Sequence, residues 1–219
     1  DIQLNYSGNF TDAKSNILEY LNAYEDKYEP VFSDGNQALF SELPVETQTL
    51  IFLQQAIFDE EYKLNAEEME GIKFEFSEVF PGKVSASAQR VNDATVEIDG
   101  TYNVIHGTRH LHDTWDVKRP TGHYAPPGEL ITITIPTNHV DKGMSVMIGA
   151  HERDHSNLDR TNRFLRISNR FGLSTEETKI VNPFGGGIYM LVPEESNFGY
   201  FDITINGAVK SPYFSTREG

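Results

Sequence analysis

At Gly71 the hydrophobic period of this 219-residue chain changes, and that change restricts its possible folds more than any single motif. Before it, apolar residues recur at helical spacing. In "AKSNILEYLNAYEDKY", Ile17, Leu18, Leu21 and Tyr24 share a face, and Thr11 or Asp12 can cap the start. Gly35 and its neighbours in "SDGN" break that pattern. In "LPVETQTLIFLQQAIFDEEYKLN", Leu50, Leu53, Ile57 and Tyr62 continue one face, with Pro44 at the helix start, where its missing N–H costs nothing. "NAEEMEG" reads as a short final turn.

Beyond Gly71 the runs are short, β-branched or aromatic, and bounded by Gly, Pro and Asn. "ATVEIDGTY" sets Val96 and Ile98 inward and Thr95 and Glu97 outward. "ELITITIP" places Ile131, Ile133 and Ile135 on one face, and "GMSVMIGA", "GGIYMLVP" and "YFDITINGAV" read as further strands. The pattern predicts an α+β chain. A small helical unit over residues 1–72 is followed by an all-β domain over 73–219, of sandwich or jelly-roll type.

Charge divides at the same place. The formal net charge is −15, with 15 acidic and 3 basic side chains in residues 1–72 and 18 and 15 in the remainder. Such a field repels phosphate backbones and anionic bilayers, which argues against nucleic acid as a partner. No apolar run reaches the ~18 residues that membrane insertion needs. With no cysteine, the chain can form neither disulfides nor thiolate metal sites. It opens at Asp1 without a charged-then-apolar leader, which leaves its compartment open.

Residues 148–157, "IGAHERDHSN", contain the letters H-E-x-x-H. On a helix, His151 and His155 would share a face and could meet one zinc ion, with Glu152 polarising its water. Glu176, beside Glu177, stands at a plausible distance for a third ligand. Against this, a zinc helix packs its back on the core, and here the surrounding positions are Arg153, Asp154, Ser156 and Asn157. Gly149 and the β-branched "SVMIG" favour a strand ending in a polar loop. The reading adopted is therefore no metal site, with His151, His155 and Glu176 as the alternative. His106, His110 and His112 in "HGTRHLHDTWD" form a second group. His110 and His112 would share a strand side, and Asp113 or Asp116 could add an oxygen, but half-exposed strand residues explain them equally.

"NPFGGGIYML" lacks the Lys-Ser/Thr and the helix start of a phosphate loop and reads as a tight turn before a buried strand. In "RPTGHYAPPGEL", Pro126, Pro127 and Gly128 fix a rigid turn that delivers Glu129 into a strand. Trp115 and Tyr124 are candidates for a sugar-stacking platform, and Tyr189 is read as core. No Ser-His-Asp arrangement is apparent.

"VFPGKV" (79–84), "TGHYAPPGELITITIP" (121–136), "MIGAH" (147–151), "NPFGGGIYMLVP" (182–193) and "ITINGAVKSPYF" (203–214) occur in this order. Together they resemble the N-terminal, non-catalytic portion of the enhancin-like zinc metallopeptidases, peptidase family M sixty. The resemblance covers residues 79–219, and the first 72 residues carry none. It implies a β-rich subdomain that precedes the catalytic helices of a secreted or cell-surface enzyme acting on mucin-type glycoproteins. The family's own H-E-x-x-H follows the segment that resembles Tyr213-Phe214, so no catalytic residue maps onto this chain. "HERDH" is then an accidental match. The zinc would belong to the parent enzyme, with no cofactor in this chain. Its first partner would be the catalytic domain of the same polypeptide. A glycan- or surface-binding module without peptidase activity is the alternative.

Overall fold

The computed structural model describes residues 10–25, 27, 38–64, 66–103, 116–151, 160–161, 164 and 166–212. Two helices come first, α1 (Phe10–Glu25) and α2 (Val45–Leu64). Pro44 precedes α2 directly, and its carbonyl accepts the Gln48 N–H at 3.0 Å, the first bond of the helix. "NAEEMEG" closes as a 3-10 turn over Ala66–Met69.

Eleven strands follow or interrupt: β1 (Ala38–Leu39), β2 (Ala94–Tyr102), β3 (Val117–Ala125), β4 (Ile131–Thr134), β5 (Ser145–Ile148), β6 (Arg160–Thr161), β7 (Asn169–Gly172), β8 (Glu177–Ile180), β9 (Gly186–Val192), β10 (Ser196–Asn206) and β11 (Val209–Lys210). A four-stranded sheet has the order β2-β10-β4-β8, and a five-stranded sheet the order β11-β3-β9-β5-β7. All their pairings are antiparallel, and β1 pairs separately with β6. The two large sheets form a sandwich behind the helices. Among the described residues no helix is long and apolar enough to cross a membrane.

Alternation builds the core between the sheets. Ile98 on β2, Ile131 and Ile133 on β4, Val146 and Ile148 on β5, Ile188 and Met190 on β9, and Ile203 and Ile205 on β10 are all buried in one cluster. Thr95 and Glu97 stay exposed, as the period-two pattern requires.

The turn expected at Pro126–Gly128 forms, but the residues before it make β3, a nine-residue strand that the sequence reading does not include. Pro120 and Gly122 hid the strand from a propensity argument. The structure accommodates them in a register shift between Pro120 and Tyr124, where Gly122 takes φ 70°. Only Pro126–Gly128 turn, and the Glu129 N–H bonds the Pro126 carbonyl at 3.2 Å.

Candidate functional site

Four of the five motifs contribute residues to the end of the sandwich that faces the helices. Gly71 N–H donates to the Gly128 carbonyl at 2.8 Å, and Gly128 N–H to the Asn182 carbonyl at 2.9 Å. This links the end of the helical unit to "APPGE" and to "NPFGGG". Asn182 is fully buried and spends its whole amide here. Its Nδ2 donates to the Ile167 carbonyl and to Asn169 Oδ1, and its Oδ1 accepts the Phe184 N–H. Buried amides persist only when satisfied in this way. Gly149 of "MIGAH" donates its N–H to the Gly187 carbonyl at 2.8 Å. Gly207 of "ITINGAV" does the same to Val91, and the Val91 N–H returns to the Ala208 carbonyl.

Glycine is required where these backbones meet. A Cβ on Gly128, at φ 70°, would stand 2.4 Å from the Ile72 carbonyl oxygen. One on Gly185, at φ 67°, would stand 2.6 Å from the Ala125 carbonyl oxygen. Neither obstacle is a side chain that could swing away.

Aromatic packing completes the junction. Phe184 sits 5.6 Å, 5.0 Å and 5.0 Å, centroid to centroid, from Phe58, Phe74 and Phe164, and Phe76 sits 4.8 Å from Phe164. Leu21, Leu50, Ile51 and Ile57 of the helices join the same cluster. An ion pair from Arg166 to Asp59 and a bond from the Arg166 N–H to Gln55 Oε1 tie α2 to the segment before β7. Lys179 on β8 pairs with Glu67.

The proposed site residues are distributed around this junction. Tyr124 stands on β3, half-buried, and its hydroxyl donates to the Gly82 carbonyl at 3.0 Å. It therefore pins the "VFPGKV" loop to the sheet, and burial pushes its hydroxyl from 10.0 up to about 12. Trp115 lies outside the described residues, and its neighbour Asp116 pairs with Arg170 of β7. His151 follows β5 at the junction end, half-buried, edge-on to Phe80 with centroids 6.4 Å apart. His155 and Glu152, like His106, His110, His112 and Asp113, lie outside the described residues. Glu176 stands at the start of β8, where it accepts a bond from Thr137. The extended run from Glu176 to Asn182 carries the chain roughly 20 Å back to the junction. Among the described residues no three His, Asp or Glu side chains group to hold a metal ion, and His155, which the zinc alternative needs, lies outside them.

Sequence reasoning missed the polar residues beside the junction. Glu78 accepts from Lys73 and Lys83, each at 2.8 Å. These bonds, that of Lys73 first, pull its carboxyl from 4.5 down to about 2. Arg90 grips Glu129 through both Nε and Nη2. Lys83 and Glu129 lie inside quoted motifs, so the signal was present but was read as turn chemistry.

Two antiparallel sheets packed face to face, with helices and a glycine-bounded junction at one end, define a β-sandwich domain. The chain belongs to the family described as the N-terminal domain of M60-like peptidases, whose model matches residues 87–206. Among curated proteins it is 32% identical over 97 residues to rat TRPM8 channel-associated factor 3, covering 43% of this chain and 10% of that protein. It is 30% identical over 98 residues to human TRPM8 channel-associated factor 1, covering 45% and 11%. The chain thus spans about a tenth of the length of these relatives. Among solved structures it resembles the IMPa metallopeptidase of Pseudomonas aeruginosa with a TM-score of 0.50 at 13% identity, over 98% of this chain and 26% of that one. At that identity the likeness concerns the fold alone. It nonetheless extends over the helical unit, where the sequence carries no resemblance.

Proposed function

We propose that this chain is the non-catalytic N-terminal portion of a secreted or cell-surface zinc metallopeptidase acting on mucin-like glycoproteins, and that it positions the catalytic domain or the substrate. One observation carries the reading: residues of four of the five motifs, in "VFPGKV", "APPGE", "MIGAH" and "NPFGGG", lie at the junction between helices and sandwich. Backbone bonds, a buried amide group and glycine contacts engage these residues. A platform fits this use of residues better than a reaction centre does. The family match supports the peptidase parent, since its description is that of an N-terminal domain of M60-like peptidases.

The test is an assay of the 219-residue chain on casein and on mucin with zinc added. No cleavage is expected. Chelator-sensitive cleavage that vanishes in Glu152→Gln would overturn the proposal.

A second reading, a glycan- or surface-binding module, is favoured by Tyr124. Its anchored hydroxyl fixes the ring while part of the side chain stays accessible. Binding to immobilised mucin that is lost in Trp115→Ala and Tyr124→Ala, with the fold intact, would support it. Undiminished binding in both variants would exclude these residues.

A further inference from the structure

Next to the junction, the segment from Lys73 to Arg90 and the Pro126–Glu129 turn enclose a cavity of about 170 Å3. Its polar lining is Lys73, Ser77, Glu78, Lys83, Arg90 and Glu129. We propose that this cavity binds a small oxyanion, either a planar carboxylate or a tetrahedral sulfate or phosphate group, held by the ammonium groups of Lys73 and Lys83 and the hydroxyl of Ser77.

The argument rests on which polar atoms are already used. Glu78 Oε1 accepts from Lys73, and Oε2 from Lys83. Both Glu129 oxygens accept from Arg90. Every carboxylate oxygen in the lining is thus engaged by a cation. The donors are not exhausted in the same way. An ammonium group carries three protons, and each lysine gives one to Glu78. Ser77 is completely buried, and its hydroxyl has no hydrogen-bond partner. A buried hydroxyl in that condition is costly, and a ligand or solvent acceptor is the usual remedy. Carboxylate oxygens keep further lone pairs, so the preference for an oxyanion over a neutral polyol rests on the spare lysine protons together with the surplus positive charge. An oxyanion needs donors only.

Charge points the same way. The lining holds three cations and two carboxylates, so one positive charge is left over. It stands out in a chain whose formal net charge is −15. The two lysines hold Glu78 ionised down to about pH 2. A volume of about 170 Å3 accommodates a small oxyanion. Nothing in this inference depends on the peptidase reading above.

Amide NMR of the 219-residue chain tests it, with sodium sulfate and sodium acetate titrated against sodium chloride of matched ionic strength. Saturable shifts confined to residues 73–90 and 126–129 are expected from at least one of the two oxyanions. Sulfate alone would identify a tetrahedral ligand, and acetate alone a carboxylate. Lys83→Gln should weaken the site at least tenfold and Ser77→Ala several-fold. Lys179→Gln, whose lysine pairs with Glu67 elsewhere, should leave it unchanged. The Lys83 side chain is 67% exposed, so its variant retains the fold, and peak dispersion checks this directly. Shifts that chloride reproduces, no saturation with either oxyanion, or equal affinity in Lys83→Gln would overturn the proposal.

Discussion

Between the sheets the buried side chains are largely isoleucine, valine and methionine, and almost all of them stand on strands. At the helical end five phenylalanines join six leucines and isoleucines, drawn from α1 and α2, from loops and from the turn before β9. The first cluster follows from a local rule, because alternate residues of a pleated strand must face the same way. The second has no such rule: Leu21, Phe58, Phe74, Phe164 and Phe184 meet only because the chain returns to one place. Large flat rings suit that task, since each buries much area and tolerates tilted neighbours. The comparison teaches that the sandwich is specified strand by strand, whereas the attachment of the helices depends on a few anchors.

Breaking the aromatic anchor should have the largest effect. Phe184→Ala removes the ring that touches Phe58, Phe74 and Phe164, at a cost of about 3–5 kcal/mol. Urea unfolding followed by far-ultraviolet circular dichroism should show the helical signal leaving before the sheet signal. A single coincident transition would mean that helices and sandwich remain one cooperative unit. Ile133→Ala is the matched lesion in the other cluster and costs about 2–5 kcal/mol. It should lower the sheet transition without separating the helical signal from it. Gly128→Ala strikes the backbone link itself. The left-handed conformation costs a non-glycine residue about 1–3 kcal/mol, before the clash with the Ile72 carbonyl is relieved. Thermal unfolding should show a clear loss, and hydrogen exchange should quicken at Gly71, whose N–H bonds Gly128.

The same contrast explains what could be read in advance. β2, β4, β5, β9 and β10 were legible because Ile131, Ile133 and Ile135, or Val96 and Ile98, announce the period of two. β3 was hidden by Pro120 and Gly122, and β7 and β8 are short and polar, with Asn169, Arg170, Glu177 and Lys179. The junction was visible as motifs but not as a place. "NPFGGG" reads as a tight turn in any sequence, yet the requirement for Gly185 comes from the Ala125 carbonyl, sixty residues upstream. The donor-rich cavity was illegible for the same reason, because Ser77, Lys83 and Glu129 become neighbours only once the Pro126–Glu129 turn packs beside the loop.

Tyr124 belongs to the sandwich by its strand and to the junction by its hydroxyl, and it offers the smallest and most specific probe of the difference. Burial raises its ionisation to about 12, above the ordinary 10.0. Between those two values the unfolded chain loses this proton and the folded chain keeps it. Stability from this group is therefore complete below pH 10 and declines as pH rises toward 12. Absorbance near 295 nm should show a late-titrating phenol that is absent in Tyr124→Phe. At neutral pH that variant loses only the bond to Gly82, about 0.5–1.5 kcal/mol. If the hydroxyl serves the junction, the loss should appear as faster amide exchange over residues 79–84, with the β3–β9 ladder still protected. Equal loosening of β3 and β9 would instead place Tyr124 wholly within the sandwich, and the distinction between the two regions would fail at this residue.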